Sequence, residues 1–152
     1  MERDVRLVRA DIEDKLVVRQ LLEFSAYEFS RFDGADVDQH GSFGYRYLDH
    51  YWTEPDRHPF LIRVSEQIAG TVLVRSGRPN SISEFLVLRK YRRSGVGVAA
   101  ARSAFTLFPG DWETHEVVGN DEAVDFWRHA IPVRFTETTA PHGTTQLFTI
   151  SG

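Results

Sequence analysis

Apolar residues recur along this chain in two rhythms, and the points where the rhythm changes divide it into elements. Val5 to Val8 reads as a first strand. Asp11 and Asp14 then supply an N-cap and an acidic third position for a helix in which Val18, Leu22, Ala26 and Phe29 mark the expected buried face. Residues 30–58 are the least regular stretch, with Gly34, Gly41, Gly44 and Pro55 among aromatic and acidic side chains and one short helix expected from Tyr45 to Trp52. Phe60, Ile62 and Val64 alternate with Leu61, Arg63 and Ser65 as in a strand. Glu66-Gln67 suits a tight return into a partner strand from Thr71 to Arg75.

Ile82 to Leu88 is a third β-prone run, and a Gly-rich turn leads from it into a helix with Val98, Ala101, Phe105 and Phe108 on one face, ended by Pro109-Gly110. Glu113 to Val118 resumes a strand. Asn120 caps a last helix, with Asp121 and Glu122 at its positive end and Ala123, Phe126, Trp127 and Ala130 as its apolar stripe. Val133 to Glu137 and Gln146 to Ile150 are expected to pair as a hairpin across a loop holding Gly143. The order predicts an α/β domain of mixed, α+β-like character, with a central mixed sheet of about 6–7 strands and helices on both faces. With no repeat, low-complexity tract or linker, residues 1–152 read as one domain.

Composition narrows the chemistry. The absence of Cys removes disulfides, thiolate zinc sites and any acyl-cysteine intermediate, so an acyl transfer here would be direct. The charged N-terminus lacks the apolar core of a signal peptide, and no apolar run is long enough to span a bilayer, so the expected location is cytoplasmic, with no membrane partner. None of the six His residues falls in a His-Glu-x-x-His spacing, and no metal is expected. The formal net charge of -4 argues against nucleic acid as a partner, yet Arg89, Lys90, Arg92 and Arg93 crowd four positive charges together. Such a contrast fits either a site for a small polyanion or a solvated turn.

The informative stretch is Arg92-Arg93-Ser94-Gly95-Val96-Gly97-Val98, between the Ile82–Leu88 strand and the following helix. A helix start presents unpaired N–H groups and partial positive charge, and glycines let an anion approach without meeting a Cβ, so the pattern suggests a pyrophosphate cradle. Gly-Lys-Ser and Gly-Lys-Thr are missing, and Ala100 stands where a dinucleotide-binding loop has its third Gly. The competing explanation is that Gly95 and Gly97 merely let the helix pack tightly on the sheet.

The run from Glu84 to Gly97 resembles the signature strand, loop and helix of the GNAT acetyltransferases, and Asn120 with Ala123, Phe126 and Trp127 resembles that family's second motif. The resemblance implies acetyl-CoA as cosubstrate. Its pyrophosphate would lie on the backbone N–H groups of Arg93, Ser94, Gly95, Val96, Gly97 and Val98, with the adjacent Arg92 able to add a charge-assisted contact. A bulged strand end at Leu86, Val87 and Leu88 would bond the pantetheine, with Asn120 and Trp127 beside that arm.

The resemblance further implies that Glu84 acts as the base, because an acceptor ammonium of pKa near 10 must lose a proton before it attacks. Trp127 stands where the family often has a Tyr that protonates the departing thiolate, and an indole cannot do this. The general acid is therefore unassigned, and a non-catalytic acyl-CoA-binding or sensing module is the rival reading. The acceptor is expected to be a primary amine on a small molecule, peptide or protein, held by acids and aromatics of residues 30–58 such as Asp33, Asp36, Asp38, Asp49, Tyr45, Tyr47, Tyr51 and Trp52. The oligomeric state is open, a homodimer included.

Overall fold

The computed structural model describes residues 4–152. Seven strands form one sheet, β1 (Val5–Arg9), β2 (Arg57–Val64), β3 (Gln67–Arg75), β4 (Asn80–Val87), β5 (Gly110–Val117), β6 (Thr136–Ala140) and β7 (Gly143–Ile150), in the order β1-β2-β3-β4-β5-β7-β6. Three α-helices accompany them: α1 (Lys15–Asp33), α2 (Val96–Leu107) and α3 (Asp121–Ala130).

Strand alternation explains why both faces are covered. Phe60, Ile62, Val64, Val72, Val74 and Val87 point to one side and pack with Val96, Ala100, Ala101, Ala104 and Phe105 of α2 and Trp127 of α3. Leu61, Leu73 and Leu86, the residues between them, point to the other side and meet Val18, Leu21 and Leu22 of α1. A strand buried on both faces reads as a continuous apolar run, as 60–62 and 72–74 do.

Every neighbouring pair is antiparallel except β4 with β5, which are joined through α2 and lie parallel, as such a crossover requires. That pairing covers only Asn80↔Trp112 and Ser81↔Glu113. Beyond Ser81 the two strands run on without a ladder between them, and the sheet is split.

Several boundaries differ from expectation. The Asp11–Asp14 cap is present, with the Asp11 amide donating to Asp14 Oδ2 at 3.0 Å, but it opens a 3₁₀ turn over Ile12–Asp14 that then becomes α1. The helix expected from Tyr45 is a 3₁₀ turn over Leu48–Trp52. On α1, Val18 and Leu22 are buried, Ala26 is half-buried and Phe29 is exposed, because the helix continues past the packed sheet to Gly34. The last hairpin is shifted: β6 begins at Thr136 rather than Val133, and Gly143 begins β7, where a Cβ would come 2.1 Å from the Glu116 carbonyl oxygen.

Gly70 on β3 is the tightest contact in the sheet, since a Cβ there would sit 1.9 Å from the Leu86 carbonyl oxygen of β4. Gly70→Ala must push β3 away from β4, the strand that borders the split. We expect it to cost about 3 kcal/mol or more, read as a lowered urea midpoint, with a truncated transition if β4 detaches.

Candidate functional site

The site is built around the split between β4 and β5. At the end of β4, the Leu88 amide donates to the Ala69 carbonyl at 2.7 Å. A 3₁₀ turn over Arg89–Tyr91 then carries the chain to Arg92 and α2. Arg93 (φ 58°) and Gly95 (φ 83°) both adopt left-handed backbone, and the interruption turns successive N–H groups toward one concavity. The Ser94 hydroxyl donates to the Tyr91 carbonyl at 2.7 Å and fixes the loop.

The amides of residues 93–98 find no acceptor among the described residues, and no side chain caps α2. A Cβ on Gly95 would meet nothing within 4 Å, so the space before these amides is open. Six amides without an acceptor at the start of a twelve-residue helix make an arrangement that suits an anion.

The two glycines of the motif serve different ends. Gly95 supplies left-handed backbone. Gly97 supplies close packing, since a Cβ there would lie 2.9 Å from Phe126 Cε1 on α3. The side chains of Val96 and Val98 belong to the α2 core and offer only their amides to the loop.

Arg92 has internal partners. Its Nε donates to the Val87 carbonyl and its Nη2 to Glu28 Oε2 of α1, both at 2.7 Å, while Arg89 Nε reaches Glu28 Oε1 at 3.2 Å. Burial would raise the Glu28 carboxyl, but the two guanidinium hydrogen bonds outweigh it and hold Glu28 below the usual carboxylate range. Of the basic cluster, Arg93 is exposed and makes no ion pair among the described residues.

The split itself is a cleft of about 430 Å³ reaching both faces of the sheet. On the α1 face, Ser25, Ala26 and Phe29 form a wall beside Glu84 and Tyr45. Val74 pairs with Ile82 and Leu73 with Glu84, so Ser83 is an extra residue in β4. The bulge therefore falls at Ser83, not at Leu86–Leu88, where Leu86 and Val87 keep regular register with Thr71 and Gly70. Burial pushes the Glu84 carboxyl up to about 7, partly opposed by the Ser25 hydroxyl donating to it at 3.4 Å. Burial likewise keeps the Tyr45 phenol protonated.

On the opposite face, Asn120 Oδ1 accepts from the Ala123 amide at 3.3 Å and caps α3, while the residue also lines the cleft. Trp127 packs edge-on against Phe85 and Phe126 at centroid distances of 5.1 and 4.9 Å and closes the floor. Of the eight residues from 33 to 52 expected to hold an acceptor, only Asp33 and Tyr45 line the cleft. Asp49 instead pairs with Lys15, Asp38 folds its own loop, Tyr51 is core and Trp52 donates to the Ala10 carbonyl.

Sequence reasoning missed Glu116. It is 3% exposed and lines the cleft; its Oε1 accepts from Gln146 Nε2 at 2.8 Å, while Oε2 has no partner. Burial pushes this carboxyl up to about 7 against the Gln146 hydrogen bond. The signal was available: a strand period of two puts Glu116 on the same inward face as Trp112 and Thr114. Among the described residues no group of His, Cys, Asp or Glu gathers as a metal site, and no helix is long and apolar enough to cross a membrane.

Comparison with known proteins agrees with this architecture. Residues 20–130 match the Acetyltransferase (GNAT) family. No curated protein sequence matches significantly. Among solved structures, the chain is similar to an acetyltransferase from Thermus thermophilus (TM-score 0.72, 16% identity, 96% of this chain and 97% of that one). It is also similar to the PaiA N-acetyltransferase of Thermoplasma acidophilum in complex with coenzyme A (0.70, 8%, 96% and 99%). A third is the spermidine N-acetyltransferase of Vibrio cholerae with CoA and spermine (0.65, 14%, 97% and 95%). At these identities the likeness is one of fold.

A carboxyl whose folded pKa lies above its unfolded value of 4.5 binds protons that the unfolded chain has released, so stability falls as pH rises from about 4.5 through about 7. Glu84→Gln should therefore stabilise the protein by about 2–3 kcal/mol at pH 8 and leave it nearly unchanged at pH 4.5. Thermal melts at both pH values, wild type against variant, check the difference.

Proposed function

Because the chain belongs to the acetyltransferase (GNAT) family, we propose that it transfers an acetyl group directly from acetyl-CoA to a primary amine. The observation that carries this reading is the conjunction of six unpartnered amides at the start of α2 with a split in the adjoining sheet that buries a carboxyl. Two of the similar structures are complexes with coenzyme A, which supports the same cosubstrate.

The residues fit that cosubstrate. The amides of residues 93–98 would take the pyrophosphate, with the exposed Arg93 adding charge. Beyond Ser81 the side of β4 facing β5 has no strand partner, so its backbone can pair with the amide-bearing pantetheine as with another strand. The Val87 carbonyl is the exception, being occupied by Arg92. Asn120 uses its carbonyl oxygen as a helix cap and keeps its NH₂ for the arm.

Glu84 would take the proton of the acceptor ammonium. A carboxylate with an ordinary pKa is a weak base, and burial raises this one toward neutrality, where it is still partly ionised and better able to accept. Phe29, Tyr45 and Asp33 give the acceptor a wall of ring faces and one charge. With no Cys in the chain, no acyl-cysteine forms and the amine attacks the thioester itself.

Calorimetry with acetyl-CoA tests the cradle. Gly95→Asp puts an L residue on left-handed backbone, a strain of about 1–2 kcal/mol that should lower the melting temperature by a few degrees, and sets a carboxylate before the amides; binding to the still-folded protein should weaken at least about 30-fold, near 2 kcal/mol. Unchanged affinity would refute the reading. Glu84→Gln should bind acetyl-CoA normally and lower kcat about 100-fold with an amine panel, removing the acidic limb near pH 7.

A further inference from the structure

From the unpartnered Glu116 Oε2, its burial and its place across the sheet from Glu84, we infer that Glu116 is the proton donor to the departing thiolate. This rests on the acetyl-transfer reading and fills the role that Trp127 cannot perform.

The sheet separates the two carboxyls. Glu84 stands on the face of α1, where Ser25 donates to it. Glu116 stands on the face of α3: β5 pairs with β7 in unbroken register from Gly110↔Ile150 to Val117↔Gly143, so Glu116 shares the side of Trp112, and its partner Gln146 shares the side of Phe148. Both carboxyls, with Trp127 and Asn120, line one cleft. An acyl group held in the split would present its carbon to an amine from the α1 side and its sulfur to the α3 side. Of the other acids in the cleft, Tyr45 packs with the α1 cluster and Asp33 is the last residue of α1, so both belong to the acceptor side.

The surroundings of Glu116 suit a donor. Gln146 Nε2 bonds both Glu116 Oε1 and Glu137 Oε1, at 2.8 and 2.9 Å, and Thr114 Oγ1 fixes the Gln146 carbonyl at 2.7 Å. Glu137 is held ionised by Arg128, which binds both its oxygens. The charged groups acting on Glu116 are thus Glu137, which favours its protonated form, and Arg128, which opposes it. Burial adds to the former, so a proton resides on Glu116 up to about pH 7.

The step balances. The amine lone pair forms the C–N bond and the C–S bond breaks with its electron pair left on sulfur. Before attack, Glu84 takes the ammonium proton and passes it to solvent; as the C–S bond breaks, the Glu116 carboxyl gives its proton to sulfur, and the again-ionised Glu84 takes the second proton, lost by nitrogen as the amide forms. Solvent exchange then recharges Glu116 and discharges Glu84, leaving the N-acetyl product and free thiol.

Glu116→Gln keeps an oxygen for Gln146 to bond and removes the transferable proton. It should bind acetyl-CoA with unchanged affinity, lose the alkaline limb of the kcat profile near pH 7, retain the acidic limb, and turn over about tenfold more slowly. That loss is modest because a thiolate of pKa near 8.5 leaves fairly well unaided. Infrared difference spectra of the free protein give a second readout: Glu84 and Glu116 should both contribute protonated-carboxyl absorption that titrates near pH 7, so Glu116→Gln should lose one component, Glu84→Gln the other, and the double variant both. A wild-type alkaline limb that survives in Glu116→Gln, or a Glu116 band already lost by pH 5, would overturn the inference. Failure of acetyl-CoA to bind wild type would instead bring down the reading beneath it.

Discussion

The site depends on how little of β4 pairs with β5. Two residue pairs hold the strands together, and what fixes them is concentrated at the closed end. Asn80 accepts from the Gly77 amide and donates to the Phe108 carbonyl, which also receives Trp112 Nε1 at 2.7 Å. Trp112, Phe105 and Phe148 pack there as an aromatic wedge, with ring centroids 5.0–6.4 Å apart. Ala100, Ala101 and Ala104 let α2 lie close against the same end. With one end clamped, the twist of the strands takes the other apart, and the gap is a consequence of packing at a distance.

Such a gap brings polar groups indoors. Glu84 and Glu116 sit near the opening, where water is scarce, and each shifts its pKa rather than remain an unpaired buried charge. The fold loses stability for this at neutral pH. Two apolar residues in these positions would pack better and could not move a proton, which is the usual tension between a stable core and a working site.

The element order, both helical faces and the glycine turn into α2 were legible because each rests on local signals: a period of two or 3.6, a glycine at a helix start, an Asn cap. What was not legible depends on contacts between distant residues. Gly95 and Gly97 are the same letter in one motif, yet one answers to its own φ and the other to Phe126, on another helix. Phe29 continues the helical stripe of α1, but the sheet beneath it has ended, so an expected core residue becomes a cleft wall. The bulge at Ser83 shows only in the pairing of β4 with β3.

Arg92 shows how such long-range contacts tie the site together. Its guanidinium joins the Val87 carbonyl at the end of β4 to Glu28 on α1, while its backbone begins the loop that presents the amides. Ser25, which donates to Glu84, lies three residues before Glu28 and thus one turn along the same helix. The wall beside Glu84 and the loop that carries the unpaired amides are therefore fastened to one side chain. A shift of α1 that moved Ser25 away from Glu84 would also strain the ion pair that anchors this loop. The basic cluster that looks in sequence like a ligand's counter-charge is, in part, the hinge pin between the two halves of the site.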